Sequence, residues 1–217
     1  AWRYFGQMKD RFALISVYNK EGILDFARTL QKYGISIITT GGTGAFLKEA
    51  GLEVTLIEKV TGVPERFDGR VKTLSFQVAA GILFDRDNKS HVDDAKKLNV
   101  PQIDFVVCNF YPFSKNLSIE AIDIGGPTMV RAGAKNYQHV TVIVDPNDYM
   151  IVAKELNSQN KTSLDTRLRL ATKAFSCVSD YDLYINNFFQ SRIKDGELKH
   201  TIYMDRGRIL RYGENPH

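Results

Sequence analysis

The sequence predicts an α/β fold in which a mainly parallel sheet lies between layers of helices. Over the first two thirds of the chain, short apolar runs alternate with amphipathic segments, and glycine-containing turns separate them. Strand, turn, helix and strand in this order are typical of βαβ units, whose crossovers cover both faces of a sheet with helices. From Asn147 onward the pattern becomes purely helical. We therefore expect an α/β core followed by a C-terminal helical extension.

Six apolar runs are candidates for strands: residues 12–17, 35–39, 54–57, 78–84, 103–108 and 140–144. Runs so uniformly apolar are typical of strands buried on both faces. Helical periodicity predicts helices over residues 21–33, 45–50, 90–98, 127–136, 148–156 and 163–189, the last with a possible break at 180–182. The predicted domains are a core over 8–146, an extension over 147–193 and a linker over 194–217.

Composition excludes several classes of protein. The 217 residues are 43% hydrophobic, enough for a substantial core, and the net charge of +4 comes from interleaved signs rather than a basic arm. That balance is compatible with an anionic small substrate. Cys108 and Cys177 are too far apart in sequence to indicate a disulfide framework or a zinc site, which favours a cytoplasmic protein. The four histidines form no ligand set, so we expect no metal.

Polar residues follow several predicted strands, where ligands bind in parallel sheets. Ser16 and Lys20 follow the first strand, and Thr40-Gly41-Gly42-Thr43 follows the second. Backbone N–H groups at a helix start, with two hydroxyls, suit a phosphate monoester. Leu47 stands where a dinucleotide-binding fingerprint would have its third glycine. The alternative is an ordinary glycine turn.

Two further segments carry candidate ligand-binding groups. If extended, residues 69–73 place Arg70 and Lys72 on one face, which favours an anion between them; the alternative is an edge strand whose charges prevent aggregation. Asn109 and Tyr111 follow a buried strand and could hold a planar ligand that bears an amide. Equally, Tyr111 could be a core aromatic residue.

Residues 123–136 combine an acid, an open helix start and a lysine. Asp123 precedes Gly125 and Gly126, Pro127 is suited to a first helical turn, and Lys135 closes the stretch. Glycines allow close approach of a ligand to the backbone. This pattern predicts a ligand site, although a tight strand-to-helix connection with solvated charges would look the same.

Taken together, these motifs resemble the IMP cyclohydrolase part of the bifunctional purine biosynthesis enzymes. The resemblance rests on Ser16–Lys20, Thr40–Thr43, Gly69–Leu74, Asn109–Phe113, Asp123–Thr128 and Ala132–Asn136 in the same order. It extends from Phe12 to the end of the chain. Residues 210–217 resemble the entry into the family's formyltransferase domain, so we expect an N-terminal fragment without that domain.

The resemblance implies a fold like that of methylglyoxal synthase and one reaction. In that reaction, 5-formamidoimidazole-4-carboxamide ribonucleotide loses water and closes to IMP. The cyclohydrolase step is expected to need no cofactor, and 10-formyltetrahydrofolate is implied only for the missing domain. A purine ribonucleotide is the implied ligand, and a homodimer is the implied assembly of the full-length protein. Nucleic-acid and membrane partners are not expected.

The resemblance also assigns residues to a site. The implied catalytic residues are Lys72, Tyr111, Asp123 and Lys135. The two lysines would stabilise the oxyanion and move protons, Asp123 would hold the carboxamide or poise a lysine, and Tyr111 would orient the base. The implied substrate-binding residues are Ser16, Lys20, Thr40, Gly41, Gly42, Thr43, Arg70, Thr73, Asn109, Gly125 and Gly126.

Two residues depart from the family's usual sequence pattern, and two other functions remain as alternatives. Ser75 and Ala79 stand where the family usually has histidines, which favours proton transfer by lysine.

Methylglyoxal synthase would be expected to use a carboxylate and a histidine on a triose phosphate, and suitable histidines are lacking here. A non-catalytic nucleotide-binding regulatory domain is the other alternative, although the joint presence of Lys72, Asp123 and Lys135 argues against it.

Overall fold

The computed structural model describes residues 11–64, 66, 67, 71 and 73–193, without the side chain of Ser114. Two predicted site residues, Arg70 and Lys72, lie outside the described residues. The same holds for residues 8–10 of the predicted core and for the predicted linker over 194–217.

A single five-stranded parallel sheet forms the centre of the molecule, in the order β3-β2-β1-β4-β5. From the central β1 the chain moves outward to β2 and β3, then crosses back to β4 on the other side. The strand order therefore reverses between β1 and β4, which is where such sheets open a crevice for ligands. The strands are β1 Arg11–Val17, β2 Ile35–Thr39, β3 Thr55–Leu56, β4 Gln102–Asn109 and β5 Thr141–Ile143.

Helices cover both faces of this sheet, so the predicted three-layer architecture is confirmed. Alternate side chains of β1 serve opposite faces: Leu14 packs with α4, α6 and α8, and Ile15 packs with α1 and α7. The helices are α1 Ile23–Lys32, α2 Gly41–Glu49, α3 Ile57–Thr61, α4 Phe76–Leu83, α5 Lys89–Lys97, α6 Gly125–Lys135, α7 Tyr149–Gln159 and α8 Leu164–Gln190.

The strand predicted over residues 78–84 is wrong, because this segment is the helix α4. The hydroxyl of Ser75 accepts a hydrogen bond from the Val78 N–H and so caps the helix start. Gly81 lies against the Pro101 carbonyl and Ile103, where an added Cβ would collide. A short apolar run fits a buried helix as well as a strand, and periodicity alone does not separate the two.

The two C-terminal helices pack on opposite faces of the sheet. Val152 of α7 is fully buried on one face of the sheet, and Ala174 and Val178 of α8 are buried on the other. The helix α8 runs through the predicted break without interruption. Within the described residues, no helix is both long and apolar enough to cross a membrane.

Arg86 joins α4 to the neighbouring strand β4. Its side chain is 12% exposed, and its two terminal nitrogens donate to the carbonyl oxygens of Gly81, Ile82, Phe84 and Ile103. Because these carbonyls lie at the end of α4 and in β4, the guanidinium supplies donors that the backbone itself does not provide there.

Arg86→Met should lower the free energy of unfolding by about 3–5 kcal/mol, because the Gly81 and Ile103 carbonyl oxygens lose their Arg86 donors and the buried Asp104 carboxylate loses a cation 3.7 Å away. Chemical denaturation of both proteins measures the difference. The matched control is Arg28→Met, which removes an exposed pair with Asp25 and should cost less than about 1 kcal/mol. Equal losses in the two variants would contradict the structural role of Arg86.

Candidate active site

A cavity of about 850 Å³ opens at the carboxyl edge of the sheet. It lies where the strand order reverses, as the parallel topology requires. One wall comes from the end of β1 and the start of α2, and the other comes from the start of α6 and the segment before it. With Thr73, which also lines it, residues from four distant parts of the sequence therefore meet in one cavity.

The first wall has the character of an anion site. Ser16 and Thr40 line it with their hydroxyl oxygens 3.0 Å apart, and Gly41 and Gly42 begin α2 beside them. The first N–H groups of a helix have no partner within the helix, and the helix dipole adds a partial positive charge there. An added Cβ at Gly42 would meet no atom within 4 Å, so its α-carbon faces open space.

Thr43 contributes to this wall only through its backbone position. Its side chain is buried, and its hydroxyl accepts from the Val17 N–H and donates to the Val17 carbonyl. The residue thus ties the start of α2 to the end of β1. The structure does not place the Thr43 hydroxyl where a ligand could use it.

Asn109 shapes a loop rather than facing the cavity. Its carboxamide oxygen accepts from the N–H groups of Tyr18 and Asn19 at 2.8 Å, and its nitrogen donates to the Asn19 carbonyl. These three bonds tie Tyr18 and Asn19 to the end of β4. Lys20, at the end of that loop, is half-buried and does not line the cavity.

Tyr111 also belongs to this loop region. Its ring meets the ring of Tyr18 edge-on, with the centroids 4.7 Å apart. It is not among the residues that line the cavity. The predicted contact of Tyr111 with the reacting groups stays a prediction.

The second wall centres on the carboxylate of Asp123. One of its oxygens accepts from the Gly126 N–H at 2.9 Å, which fixes the carboxylate over the start of α6. Burial raises the pKa of the Asp123 carboxyl above its ordinary value, and the N–H groups of Gly126 and Gly125 only partly offset this. A carboxyl group of this kind can exchange protons nearer to neutral pH than an exposed aspartate can.

Thr73 and the glycines pack tightly around this acid. The Thr73 hydroxyl lies directly against Gly125, so that a Cβ there would overlap it. An added Cβ on Gly126 would likewise overlap the Asp123 carboxylate and lie 3.0 Å from the Phe110 ring. Both glycines are therefore needed for packing, in addition to the helix start that the sequence indicated. The helix itself begins at Gly125, two residues before the predicted start at Pro127.

Lys135 lies at the opposite end of α6 from Asp123. It is exposed and closes the helix, ten residues after Gly125, which corresponds to about 15 Å along the axis. The structure does not bring Lys135 and Asp123 together within one chain, because a full helix separates them. The prediction that both act on the same ligand atoms has no geometric support here.

Several cavity residues escaped the sequence prediction. Ile119, Glu120, Ile122 and Met129 line the wall around Asp123. The first three lie in or directly after the short 3₁₀ helix Ile119–Ala121, whose sequence has no periodicity, so no pattern pointed to them. Met129 follows Gly125 by four residues on α6, and this helical spacing was the one available signal.

Comparison with known proteins identifies the family. The sequence model of the AICARFT/IMPCHase bienzyme matches residues 133–217, and that of the MGS-like domain matches residues 22–128. The crystal structure of ForH superposes with a TM-score of 0.76 at 35% sequence identity, over 83% of this chain and 100% of that chain. This chain belongs to the AICARFT/IMPCHase family.

Curated members of the AICARFT/IMPCHase family show higher identity. The bifunctional purine biosynthesis protein PurH of Caldicellulosiruptor bescii is 49% identical over 216 residues, and that of Acetivibrio thermocellus is 48% identical over the same number. Each alignment covers 94% of this chain and 42% of the relative. The chain therefore spans about two fifths of the length of these family members.

Proposed function

We propose that this chain is an IMP cyclohydrolase, which closes 5-formamidoimidazole-4-carboxamide ribonucleotide to IMP with loss of water. The observation that carries the proposal is one cavity with an open helix start on one wall and, on the other, a largely buried carboxyl whose pKa is raised. Its volume of about 850 Å³ lies in the usual range for small-molecule sites. Family membership supports the choice of this reaction over others that use such a cavity.

The ligand would lie with its phosphate at the start of α2. There the hydroxyls of Ser16 and Thr40 and the first N–H groups of α2 supply donors to phosphate oxygens. Lys20 and Arg70 remain our sequence-based candidates for the cations. The base with its two reacting groups would then reach toward Asp123 at the other wall.

The chemistry needs a proton acceptor at that wall. The carboxamide nitrogen attacks the formyl carbon, and an amide nitrogen becomes a useful nucleophile only as a base removes its proton. Asp123 is the proposed base, since its carboxylate lines the cavity and its pKa is raised. The proton that it accepts can later return to the departing hydroxyl group.

The formyl oxygen gains negative charge during the attack and requires a donor. Lys72 is the proposed donor on the basis of the sequence, and its neighbour Thr73 lines the cavity. Over the whole reaction the two nitrogen atoms each lose one proton, and these leave with the formyl oxygen as water. Both reacting groups belong to one molecule, so holding them in a near-attack geometry provides much of the acceleration. The ring closure involves no oxidation or reduction. The proposed step therefore requires no cofactor.

The test is a direct assay of the purified chain with the formylated ribonucleotide, following the absorbance of IMP. We expect turnover with this substrate and none with a triose phosphate, which is the control for methylglyoxal synthase activity. Tight binding of IMP without turnover would contradict the proposal and favour a regulatory domain. The described histidines His91 and His139 do not line the cavity, which argues further against triose phosphate chemistry.

Assembly and location are proposed alongside this function. We propose a homodimer, supported by large apolar side chains on the described surface such as Phe67, Phe76 and Ile124, each more than half exposed. A cytoplasmic location is supported by the unpaired state of both cysteines. Light scattering on the purified chain would give the mass, and a monomer at micromolar concentration would contradict the first proposal.

Gly42→Ala should weaken nucleotide binding at least tenfold without loss of stability. An added methyl group meets no protein atom there and alanine favours a helix, so the fold tolerates it; in the complex, however, the methyl group occupies space beside the proposed phosphate. Calorimetric titration with IMP and with inosine measures the effect. Only the phosphorylated ligand should lose affinity, and an equal loss for inosine would contradict the placement of the phosphate.

A further inference from the structure

A tyrosine far along the sequence contacts the backbone of the proposed base. The Asp123 N–H donates to the hydroxyl oxygen of Tyr181 at 2.7 Å. The same hydroxyl lies 3.5 Å from the Ala121 carbonyl, to which it can donate. A single hydroxyl thus connects both ends of the segment 121–123, which leads into the start of α6.

The ring of Tyr181 packs against the segment that follows β4. It is 6% exposed and packs between Phe110, at a centroid distance of 5.1 Å, and Phe113, at 6.4 Å. These two residues flank Tyr111. Phe110 in turn lies against Gly126, whose N–H binds the Asp123 carboxylate. Tyr181 therefore contacts both the segment that follows β4 and the residues just before α6.

The helix that carries Tyr181 is held rigidly. Ala171, Ala174 and Val178 of α8 are buried against α6 and the sheet, about one to three turns before Tyr181. After it, Phe188 packs edge-on against Phe113 at 5.2 Å. A side chain fixed on both sides in this way can hold a loop, because its own rotamer has little freedom.

We propose that Tyr181 is a positioning residue for the cyclisation, which fixes the backbone of Asp123 and so the direction of its carboxylate. The N–H groups of Ala121 and Ile122 bond to backbone carbonyls, whereas the Asp123 N–H bonds to a side chain, the Tyr181 hydroxyl. Without the hydroxyl, the Asp123 N–H loses its acceptor and the acid gains freedom to leave its place over Gly126. The inference rests on the proposed cyclohydrolase function.

Tyr181→Phe removes the hydroxyl and keeps the ring, so it isolates this contact. We expect kcat for IMP formation to fall about tenfold, with KM changed less than twofold, since the substrate-binding wall is untouched. The acidic limb of the pH–rate profile should also move, because the surroundings of the Asp123 carboxyl change. Tyr184→Phe makes the same chemical change on the same helix at a side chain that is 56% exposed, and it should leave all three quantities unchanged.

A readout independent of activity separates this inference from the proposed function. Amide hydrogen exchange, followed by NMR, should become faster at Asp123 in the Tyr181→Phe protein, whereas the amides of β4 should keep their protection. If the wild-type chain forms no IMP, the proposed function fails, and the exchange result still tests the contact. Unchanged amide exchange at Asp123 would overturn the inference. In an active enzyme, an unchanged kcat or a change in KM alone would overturn it as well.

Discussion

Asp123→Asn is expected to lower the rate of IMP formation by about 10²–10⁴-fold, the usual contribution of a positioned general base. The asparagine keeps the shape of the side chain, and its oxygen can still accept from the Gly126 N–H. It cannot take a proton from the carboxamide nitrogen. Turnover measured by IMP absorbance gives the effect, and IMP affinity should stay within a few-fold of wild type. A variant with more than a tenth of wild-type turnover would remove Asp123 from the proposed chemistry.

The pH dependence of stability is the control for this variant. Burial raises the pKa of Asp123, so the folded state binds a proton more tightly than the unfolded state does. The wild type therefore loses stability relative to Asp123→Asn as the pH rises from below the ordinary aspartate pKa of 3.8 through the raised value. Denaturation of both proteins across this range measures the difference. A difference that does not change with pH would contradict the burial of this carboxyl.

Gly126→Ala is expected to lower turnover by about 100-fold through displacement of the same carboxylate. The new methyl group would overlap the Asp123 side chain and press on the Phe110 ring, so the acid must move. A misplacement of about 1 Å is enough for a loss of this size. Steady-state kinetics on the purified variant measures it, and a fall in kcat rather than a rise in KM is the expected signature.

Gly133→Ala on the same helix is the matched control. Its new Cβ would lie 3.3 Å from a Val106 methyl carbon in the core, far from the cavity. We expect a loss of stability of up to about 1–3 kcal/mol from overpacking, with normal turnover per folded molecule. Equal losses of turnover in the two variants would show that α6 responds as a whole, which would contradict the local account of Gly126.

Much of the fold follows from local patterns in the sequence. The uniformly apolar runs at β1 and β4 predicted buried strands, a glycine-bounded amphipathic segment predicted α1, and helical periodicity predicted α7. Since strands joined by helices must run parallel, the polar residues after β1, β2 and β4 had to gather at one edge. Ser16, Thr40 and Asp123 line the cavity at that edge.

Where local pattern was ambiguous, tertiary contacts decided the outcome. Residues 78–84 fold as a helix because Ser75 caps it and Gly81 fits against β4, and only the three-dimensional packing shows the second of these. The sequence also placed Lys135 with Asp123, since both fall in one motif. A helix of eleven residues keeps them apart, so closeness in sequence did not mean closeness in space.

By itself, then, the sequence determined the α/β class, and it predicted the edge of the sheet at which the cavity opens and several polar side chains that line it. These features depend on the spacing of apolar residues along the chain and on the direction of the strands, which are local properties of the sequence. Only the tertiary structure decided which of those side chains face the cavity and which hold the loops around it. The side chains of Thr43 and Asn109 form hydrogen bonds with the backbone. The Tyr181 hydroxyl bonds to the N–H of Asp123, which lies 58 residues away in sequence. Such contacts join segments that are far apart in the chain, and the spacing of residues within either segment does not predict them.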